Sequence, residues 1–503
     1  MPAEVRAALV LPEAGRAAKD LAALHGTLAG FPGAGDAAAV RGALSAQLGF
    51  DPLDAEALEQ AGFDPRRGAA LALLELPGQP RPAEEPQVLL VLPVGHAGEV
   101  EALLTRLSRD RLGAELRTTE QRGTAVVVTF RGQGGSAPAA LAYALVERYA
   151  LVAAGPRGPE VVGRAATVAA EASLASLPAF AAARRALGGG DAALAFLPPR
   201  SAAALAPALR DGAALALSAT DRRLHLRAAV LLGDRTASLA KLAGAGAAAK
   251  LAARLAPDST LVARFDGDPA ALGAWLLPLV PAREREALAA RGLDLARDVF
   301  GVFSPGAALS VSLAPSFSLS ALTWPVLALD PPRVVEVELL APVKEGAAEA
   351  MERWARYADP ARPPRAGPDG VTRVPTPSGE LAWKLEGGRL ALAGGRPGRL
   401  EALLARAGGE GKGWEPPVAE AKAALSGGLG GLVLDVPRFT ASVRALPPAS
   451  FGTGPTGFVV RSVVDRFVEP ASRLAAVSLR AELAEGALVL TLDVDARAPG
   501  GAP

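Results

Sequence analysis

The sequence contains no cysteine, which excludes disulfide bonds, thiol nucleophiles and cysteine-ligated metals. Aromatic residues make up only 4% of the chain, so its hydrophobic half consists mainly of Ala, Leu and Val. The three histidines, His25, His96 and His225, are far apart and show no His-x-His or His-x-x-x-His spacing. We expect His25 on the face of a helix, His96 just before a helix and His225 on the polar side of a strand. We therefore expect no metal ion and no other cofactor.

Neither sign of charge is in excess. The chain has 53 Lys and Arg against 52 Asp and Glu, and no basic face or arm stands out. Nucleic-acid binding needs a localised positive surface, so no nucleic acid is expected as a partner. The charge-free run from Val299 to Leu329 could span a bilayer by its length, but prolines and serines interrupt it and it alternates. We expect no transmembrane segment.

Two segments of the chain match two later segments in the same order. Gly68–Leu73 matches Gly306–Val311, and Leu89–Val94 matches Glu338–Val343. In each half these predicted strands lead into a helix with apolar residues at the 3.6-residue period. The agreement in order indicates an internal duplication.

A predicted hairpin with the same layout follows in each half. Ala142–Ala153 turns at Glu147–Arg148, and Ala382–Ala393 turns at Gly387–Gly388. Two glycines between alternating runs are typical of a tight turn between antiparallel strands.

Each half also closes with a predicted hairpin, and its alternation assigns the apolar residues to the inward face. In the first half these are Leu215, Leu217 and Ala219, then Leu224, Leu226, Ala228 and Val230. In the second half they are Ala475, Val477, Leu479, Ala481 and Leu483, then Leu488, Leu490, Leu492 and Val494. Such strands lie on a sheet that is covered on a single side.

These patterns predict an α+β fold of two tandem pseudo-symmetric repeats, each an antiparallel sheet of hairpins with helices packed on one face. At 503 residues, two or more domains are expected. The first repeat is assigned to residues 1–235, a linker to 236–250 and the second repeat to 251–500. The second repeat carries an insertion at about 315–330.

The segment Ser173–Phe180, which reads Ser-Leu-Ala-Ser-Leu-Pro-Ala-Phe, follows the hairpin Ala142–Ala153. Together with Gly62–Pro65 and Gly292–Asp294, it resembles a bacterial family of exported proteins that is described only as a domain of unknown function. The resemblance implies the periplasm or cell envelope and supplies no catalytic residues. Met1–Val5 does not begin a signal peptide, so the alternatives are a cytoplasmic protein or the mature part of an exported one.

Three short motifs have an ordinary structural interpretation. Gly452–Gly457 matches the letters of a dinucleotide fingerprint, but no strand is predicted before it, so a loop is expected. Ser238–Lys241 has the Ser-x-x-Lys spacing without its companion motifs. Asp493 and Asp495 share one side of the last strand, where a solvated charge ladder is expected and calcium binding or acid–base chemistry is the alternative.

The insertion is uncharged from Pro315 to Leu329, and serines alternate with apolar residues in it. Such a stretch can form an extra edge strand, a strand that binds a partner, one wall of an apolar groove, or a plain long hairpin. If it binds, the predicted ligand or partner contacts are Phe317, Leu319, Leu322 and Trp324.

The sequence therefore predicts a non-enzymatic binding or scaffold protein of the bacterial cell envelope. Its partner would be another protein. The alternative is a periplasmic carrier that binds an apolar ligand such as lipid between sheet and helices. An enzyme would require distant residues to converge on one site.

Overall fold

The computed structural model describes residues 1–28, 30–32, 34–74, 87–132, 139–237, 242, 248–290, 292–321, 330–358, 366–452 and 454–497. The fold is α+β, as predicted, and the registered strand pairs in these residues are antiparallel. The chain divides into two compact units. The first unit comprises Met1–Gly233 and Ala484–Val489, and the second comprises Asp234–Leu483 and Leu490–Pro503.

The first unit begins with a strand and continues with alternating groups of strands and helices. Its strands are β1 (Val5–Leu11), β2 (Ala69–Leu74), β3 (Gln87–Pro93), β4 (Leu116–Arg122), β5 (Ala125–Arg131), β6 (Ala139–Val146), β7 (Tyr149–Ala154), β8 (Ala193–Leu197), β9 (Ala213–Thr220) and β10 (Arg223–Leu231). Its helices are α1 (Ala14–Leu28), α2 (Ala34–Leu48), α3 (Ala55–Gln60), α4 (Ala97–Leu112), α5 (Gly158–Ala166), α6 (Pro178–Leu187) and α7 (Pro199–Leu205). The strands pair in the order β10–β9–β8–β1–β2–β3–β7–β6–β5–β4.

The second unit has a similar series of elements. Its strands are β11 (Leu261–Phe265), β12 (Ala307–Leu313), β13 (Val335–Pro342), β14 (Val371–Thr376), β15 (Gly379–Glu386), β16 (Arg389–Gly395), β17 (Gly430–Asp435), β18 (Leu474–Ala484) and β19 (Ala487–Ala496). The end of β18 and the start of β19 belong to the first unit. Its helices are α8 (Ala248–Ala252), α9 (Pro269–Leu276), α10 (Ala282–Ala290), α11 (Ala347–Ala358), α12 (Arg399–Gly408), α13 (Val436–Ala445) and α14 (Gly454–Ala471), with a π-helical turn at Leu295–Phe300. The strands pair in the order β18–β17–β11–β12–β13–β16–β15–β14.

The two predicted hairpin turns are confirmed. Val146 pairs with Tyr149 across Glu147–Arg148, and Glu386 pairs with Arg389 across the two glycines. Gly387 and Gly388 have φ values of 56° and 70°, which glycine adopts without steric cost. Glu147 has a φ of 54°, and its side chain makes this left-handed conformation strained.

Helices cover both faces of the first unit's sheet, so the prediction of a single covered face is wrong there. On one face, Val161 and Val162 of α5 pack with Leu89 of β3 and with alanines of β6. On the other face, α4 packs against Tyr143 of β6 and Val152 of β7. Strands covered on both sides need apolar residues at successive positions, which explains why β5, β6 and β7 read as continuous apolar runs.

The predicted inward faces of the closing hairpins are also wrong at several positions, although Ala219, Leu224 and Ala475 are buried as predicted. Ser478 is 2% exposed, whereas Leu479 is 37% exposed and Leu215 is 44% exposed. The pairing of β17 with β18 places Ser478 opposite the fully buried Val433, so Ser478 faces inward and Leu479 faces the other side. In β19 the buried residues are Ala487, Val489, Thr491 and Asp495. Both faces of these strands carry apolar residues, so alternation alone did not identify the buried face.

Helices also cover both faces of the second unit's sheet, with α11 packed against Trp383 on one face, and buried ions lie on the face that α12 covers. Glu338 of β13 is 1% exposed and accepts hydrogen bonds from the Ala256 amide at 2.7 Å and from Arg406 at 2.8 Å. Arg399 of α12 lies between the two strand carboxylates, 3.2 Å from Glu338 and 2.6 Å from Glu336. These ion pairs join α12 to β13.

Replacing Glu147 with glycine removes the side chain from a left-handed position. We expect the free energy of unfolding to rise by about 1 kcal/mol, because the steric cost of this conformation exceeds the extra entropy of a glycine in the unfolded chain. Urea denaturation measures the change. Glu386→Gly, at the end of a regular strand, is the control and should lower stability; a lower stability for Glu147→Gly would contradict the prediction.

Replacing Glu338 with alanine leaves Arg399 and Arg406 without a shared carboxylate in a buried place. Because an uncompensated buried charge is costly, we expect a loss of about 3–5 kcal/mol in the unfolding free energy. Glu352→Ala removes a carboxylate whose partner Arg356 is exposed, and its effect should stay within about 0.5 kcal/mol. Equal effects of the two substitutions in thermal denaturation would show that the buried ion pairs are not needed for stability.

Candidate functional site

An apolar cleft of about 620 Å³ lies in the first unit, between the sheet and the helices on one of its faces. Its floor is one row of side chains from five neighbouring strands. Direct cross-strand partners point to the same face of an antiparallel sheet, and the register joins these residues one to the next. The row is Leu194, Val10, Ala70, Val91 and Leu151.

The walls of the cleft come from the segments that cross over this row. The C-terminal end of α5 contributes Ala165 and Ala166, and α6 contributes Phe180 and Arg184. Ser173–Ala175, which connects these helices, closes one side. Because the floor contains Ala70 and the α5 wall ends in two alanines, the helices span the row without filling the space above it.

Local hydrogen bonds and packing fix the wall between α5 and α6. The Leu174 amide donates to the carbonyl of Met1 at 2.9 Å, and the Ser176 hydroxyl lies 2.7 Å from the carbonyl oxygens of Glu171 and Ser173. Pro178 starts α6 at a position where proline's fixed φ suits a helix. Phe180 then meets the buried ring of Phe196 edge to face, with the ring centroids 5.2 Å apart.

A second cavity of about 560 Å³ adjoins this wall. It shares Ala175, Phe180 and Arg184 with the cleft. The rest of its lining is Ala181, Arg185, Gly188, Gly189 and Glu485. Two charged side chains line the cleft itself, Arg184 and Glu147.

The second unit has a different row at the matching position. Ala308 matches Ala70 in the paired sequence segments, and its row across the strands is Gly431, Arg264, Ala308, Leu340 and Ala391. Arg264 is 4% exposed and is ion-paired with Asp266. A Cβ atom on Gly431 would lie 1.7 Å from the Ala424 carbonyl oxygen, so backbone sits directly on this row. The floor that is open in the first unit is thus covered in the second.

Two of the residues predicted as ligand or partner contacts, Phe317 and Leu319, do not line the cleft. Phe317 is 8% exposed and packs with Phe451 and Val468 of the second unit, and Leu319 packs against the same cluster. Leu322 and Trp324 lie outside the described residues. The described part of the insertion, 315–321, forms turns and contains no strand. A contact role for these four residues stays a prediction.

The histidines lie on separate elements: His25 on α1, His96 immediately before α4, and His225 on β10, opposite Ser218. No group of three or more metal-ligating side chains occurs among the residues that were described. In the same part of the structure, no helix combines the length and apolarity needed to cross a bilayer.

The motif at Gly452–Gly457 is not a loop throughout, because α14 begins at Gly454. The residues before it form a 3₁₀ turn at Pro448–Phe451, so the strand that a dinucleotide site requires is missing. Ser238–Lys241 lies outside the described residues. Asp495 is 7% exposed, so a solvated charge ladder is wrong at this position; it shares the inward side of β19 with Thr491.

Asp298 is a carboxyl with a lowered pKa that lies outside the cleft. A hydrogen bond from Arg297 at 2.8 Å, with others from the Asp294 amide and from Arg353, holds the pKa of Asp298 well below its usual range. A carboxylate whose pKa lies far below neutral pH has no proton to donate and is a weak proton acceptor. Asp298 instead joins the π-helical turn to α11, where Trp354 also donates to its backbone carbonyl at 3.1 Å.

The sequence indicated the cleft only indirectly. Ser173–Ala175 and Phe180 belong to the segment that carries the family resemblance, and they form the wall. The other lining residues are small or apolar and have no chemistry that marks a site in a sequence.

Comparisons with known proteins give little further information. No protein-family model matches the chain, and no curated protein matches it. A solved structure titled "Structure of crystal form IV of TP0453" is similar over 48% of this chain and 84% of that chain, at 10% sequence identity and a TM-score of 0.24. A likeness of this degree carries no argument about function.

Proposed function

We propose that the chain is a non-enzymatic binding protein whose first unit holds an apolar ligand in the cleft. The observation that carries the proposal is the continuous apolar floor beneath a space of about 620 Å³. Small-molecule sites are concave, mostly apolar and roughly 300–1,000 Å³ in volume. A few charged groups at the edge of such a site orient the ligand, and here Glu147 and Arg184 have that position.

The proposal includes a place in the bacterial cell envelope and a relation to the exported-protein family. The support is the Ser173–Phe180 segment, because the residues that carry the resemblance also build the wall of the cleft. A lipid is the apolar ligand that an envelope protein meets most often. The absence of catalysis is part of the same proposal.

The proposal also includes the duplication of one module. Its support is the strand order: β9–β8–β1–β2–β3–β7–β6–β5 in the first unit has the same sequence of elements as β18–β17–β11–β12–β13–β16–β15–β14 in the second. The crossing connections are also alike, since α5 follows β7 and α12 follows β16. In this proposal the two copies have since diverged at the covered row.

A scaffold for a protein partner is the second candidate, and α14 favours it. Phe458 and Phe467 on this helix are 77% and 50% exposed, and Val459 and Val463 beside them are also exposed. Exposed apolar patches on a folded protein are frequently interaction sites.

A tryptophan in place of Ala70 tests the proposed binding site, because its ring would occupy the floor of the cleft. We expect at least a tenfold weaker affinity for the apolar fluorophore N-phenyl-1-naphthylamine, and loss of any co-purified lipid in native mass spectrometry. Ala166→Trp fills the cleft from the helix side and should have the same effect if Ala70→Trp folds poorly.

Ala195→Trp is the matched control. Ala195 is the neighbour of Leu194 in β8, so it points to the opposite face, where it pairs with Leu9 and Leu215. This variant should bind the fluorophore as the unaltered protein does. Equal binding by Ala166→Trp and Ala195→Trp, with both proteins folded by circular dichroism, would rule out the cleft as the site.

A further inference from the structure

We infer that the ligand of the cleft is an amphiphile with an anionic head group, whose head is bound by Arg184 and Arg185. This inference rests on the proposed function, since it assigns the chemical class of the ligand in the same cleft. The apolar chain lies over the row of Leu194, Val10 and Ala70, and the carboxylate or phosphate head extends into the adjoining cavity.

The two cavities share a boundary, and this is the first observation. Ala175, Phe180 and Arg184 line both of them. The cleft is apolar over its floor, whereas the adjoining cavity is lined by Arg184, Arg185, two glycines and Glu485. A ligand that passes Phe180 therefore leaves an apolar surface and meets charged groups.

The second observation is that both guanidinium groups are available. Among the described residues, neither Arg184 nor Arg185 makes a side-chain hydrogen bond or ion pair, and both are exposed. Arg227 nearby is different, because Asp191 accepts its hydrogen bonds at 3.0 and 3.1 Å. The planar guanidinium group binds carboxylates and phosphates with two parallel hydrogen bonds.

Helix capping does not account for these arginines. The carbonyls of Arg184 and Arg185 at the end of α6 already accept hydrogen bonds from the Gly188 amide, at 3.1 and 3.0 Å. Gly188, Gly189 and Gly190 all have positive φ, from 75° to 85°, and they turn the chain sharply away from the helix. Gly188 and Gly189 line the cavity with backbone alone.

The charges around the adjoining cavity favour an anion. Arg184 and Arg185 are opposed there by a single acidic residue in the lining, Glu485. Two further arginines reach the glycine turn, since Arg16 donates to the Gly190 carbonyl at 2.6 Å and Arg227 to the Gly189 carbonyl at 3.2 Å. Glu147, the acidic residue of the cleft, belongs to the β6–β7 turn and not to the lining of this cavity.

The test compares ligands that have the same chain and different heads, bound to the full chain by displacement of N-phenyl-1-naphthylamine. Palmitate and hexadecyl phosphate should bind at least about tenfold more tightly than hexadecanol, because a hydrogen bond from a guanidinium group to an anion is stronger than one to a neutral hydroxyl group. Acetate and inorganic phosphate, which have the head alone, should not displace the probe. The preference for charged heads over hexadecanol should decrease as the salt concentration is raised, since both arginines are exposed.

Variants then assign the preference to the two arginines. The double variant Arg184→Gln/Arg185→Gln should lose the preference for charged heads and bind palmitate and hexadecanol with equal affinity. Arg222→Gln, which removes an exposed arginine from the β9–β10 turn, is the matched control and should keep the preference.

The outcomes separate the two proposals. If hexadecanol and palmitate bind equally to the unaltered protein and Ala166→Trp blocks both, the inference about the head group is overturned and the apolar site stands. If neither amphiphile binds, the proposed function itself fails. If displacement by inorganic phosphate alone is as strong as by hexadecyl phosphate, the apolar chain contributes nothing to binding, and the inference of an amphiphilic ligand is again overturned.

Discussion

The pairing of β1 with strands on both of its sides is the constraint on which the first unit depends. β2 and β8 are adjacent to β1 in space, although long stretches of chain separate them in sequence. Their register places Val10 between Ala70 and Leu194, and it thereby decides which side chains point towards α5 and α6. A slip of one residue would turn this apolar row to the other face, so the cleft and the core are fixed by the same hydrogen bonds.

The second unit shows that one strand order supports two different interiors. At the row that forms the cleft floor in the first unit, it has Arg264 and Gly431. One row further along, Glu338 stands where the first unit has Leu89. Arginines of α12 pair with Glu338, whereas valines of α5 pack with Leu89. Buried ion pairs require matched partners and full hydrogen bonding, so this face does not readily change to an open apolar one.

Much of the fold was predictable from local patterns. The fold class and the turns at Glu147–Arg148 and Gly387–Gly388 follow from alternation and turn residues, which are local properties. The inward faces of Leu215 and Leu479 were assigned wrongly, because both faces of these strands are apolar and burial depends on which helix crosses them. The packing of helix α4 on the second face of the sheet depends on contacts between residues that are distant in sequence. The alternation of apolar residues within a strand gives no information about such contacts.

The cleft was far less predictable. Its lining comes from strands and helices that are scattered between Met1 and Leu194, and it consists largely of Ala, Val and Leu, which are the commonest hydrophobic residues of this chain. The identity of such residues does not distinguish the floor of a cleft from a closed hydrophobic core. Ser173–Phe180 was singled out in the sequence for a resemblance, and only the packing of Phe180 against Phe196 shows that this segment is a wall.

The burial of Arg264 has a consequence for stoichiometry. Two modules with the same strand order would suggest two equivalent sites, and hence two ligands per chain with the scope for cooperativity between them. Arg264 and the Ala424 carbonyl lie on the matching row of the second unit, so among the described residues the open floor is found in the unit with Val10 and not in the other. If the cleft binds its ligand as proposed, this arrangement implies saturation at one ligand per chain, along a simple hyperbolic isotherm.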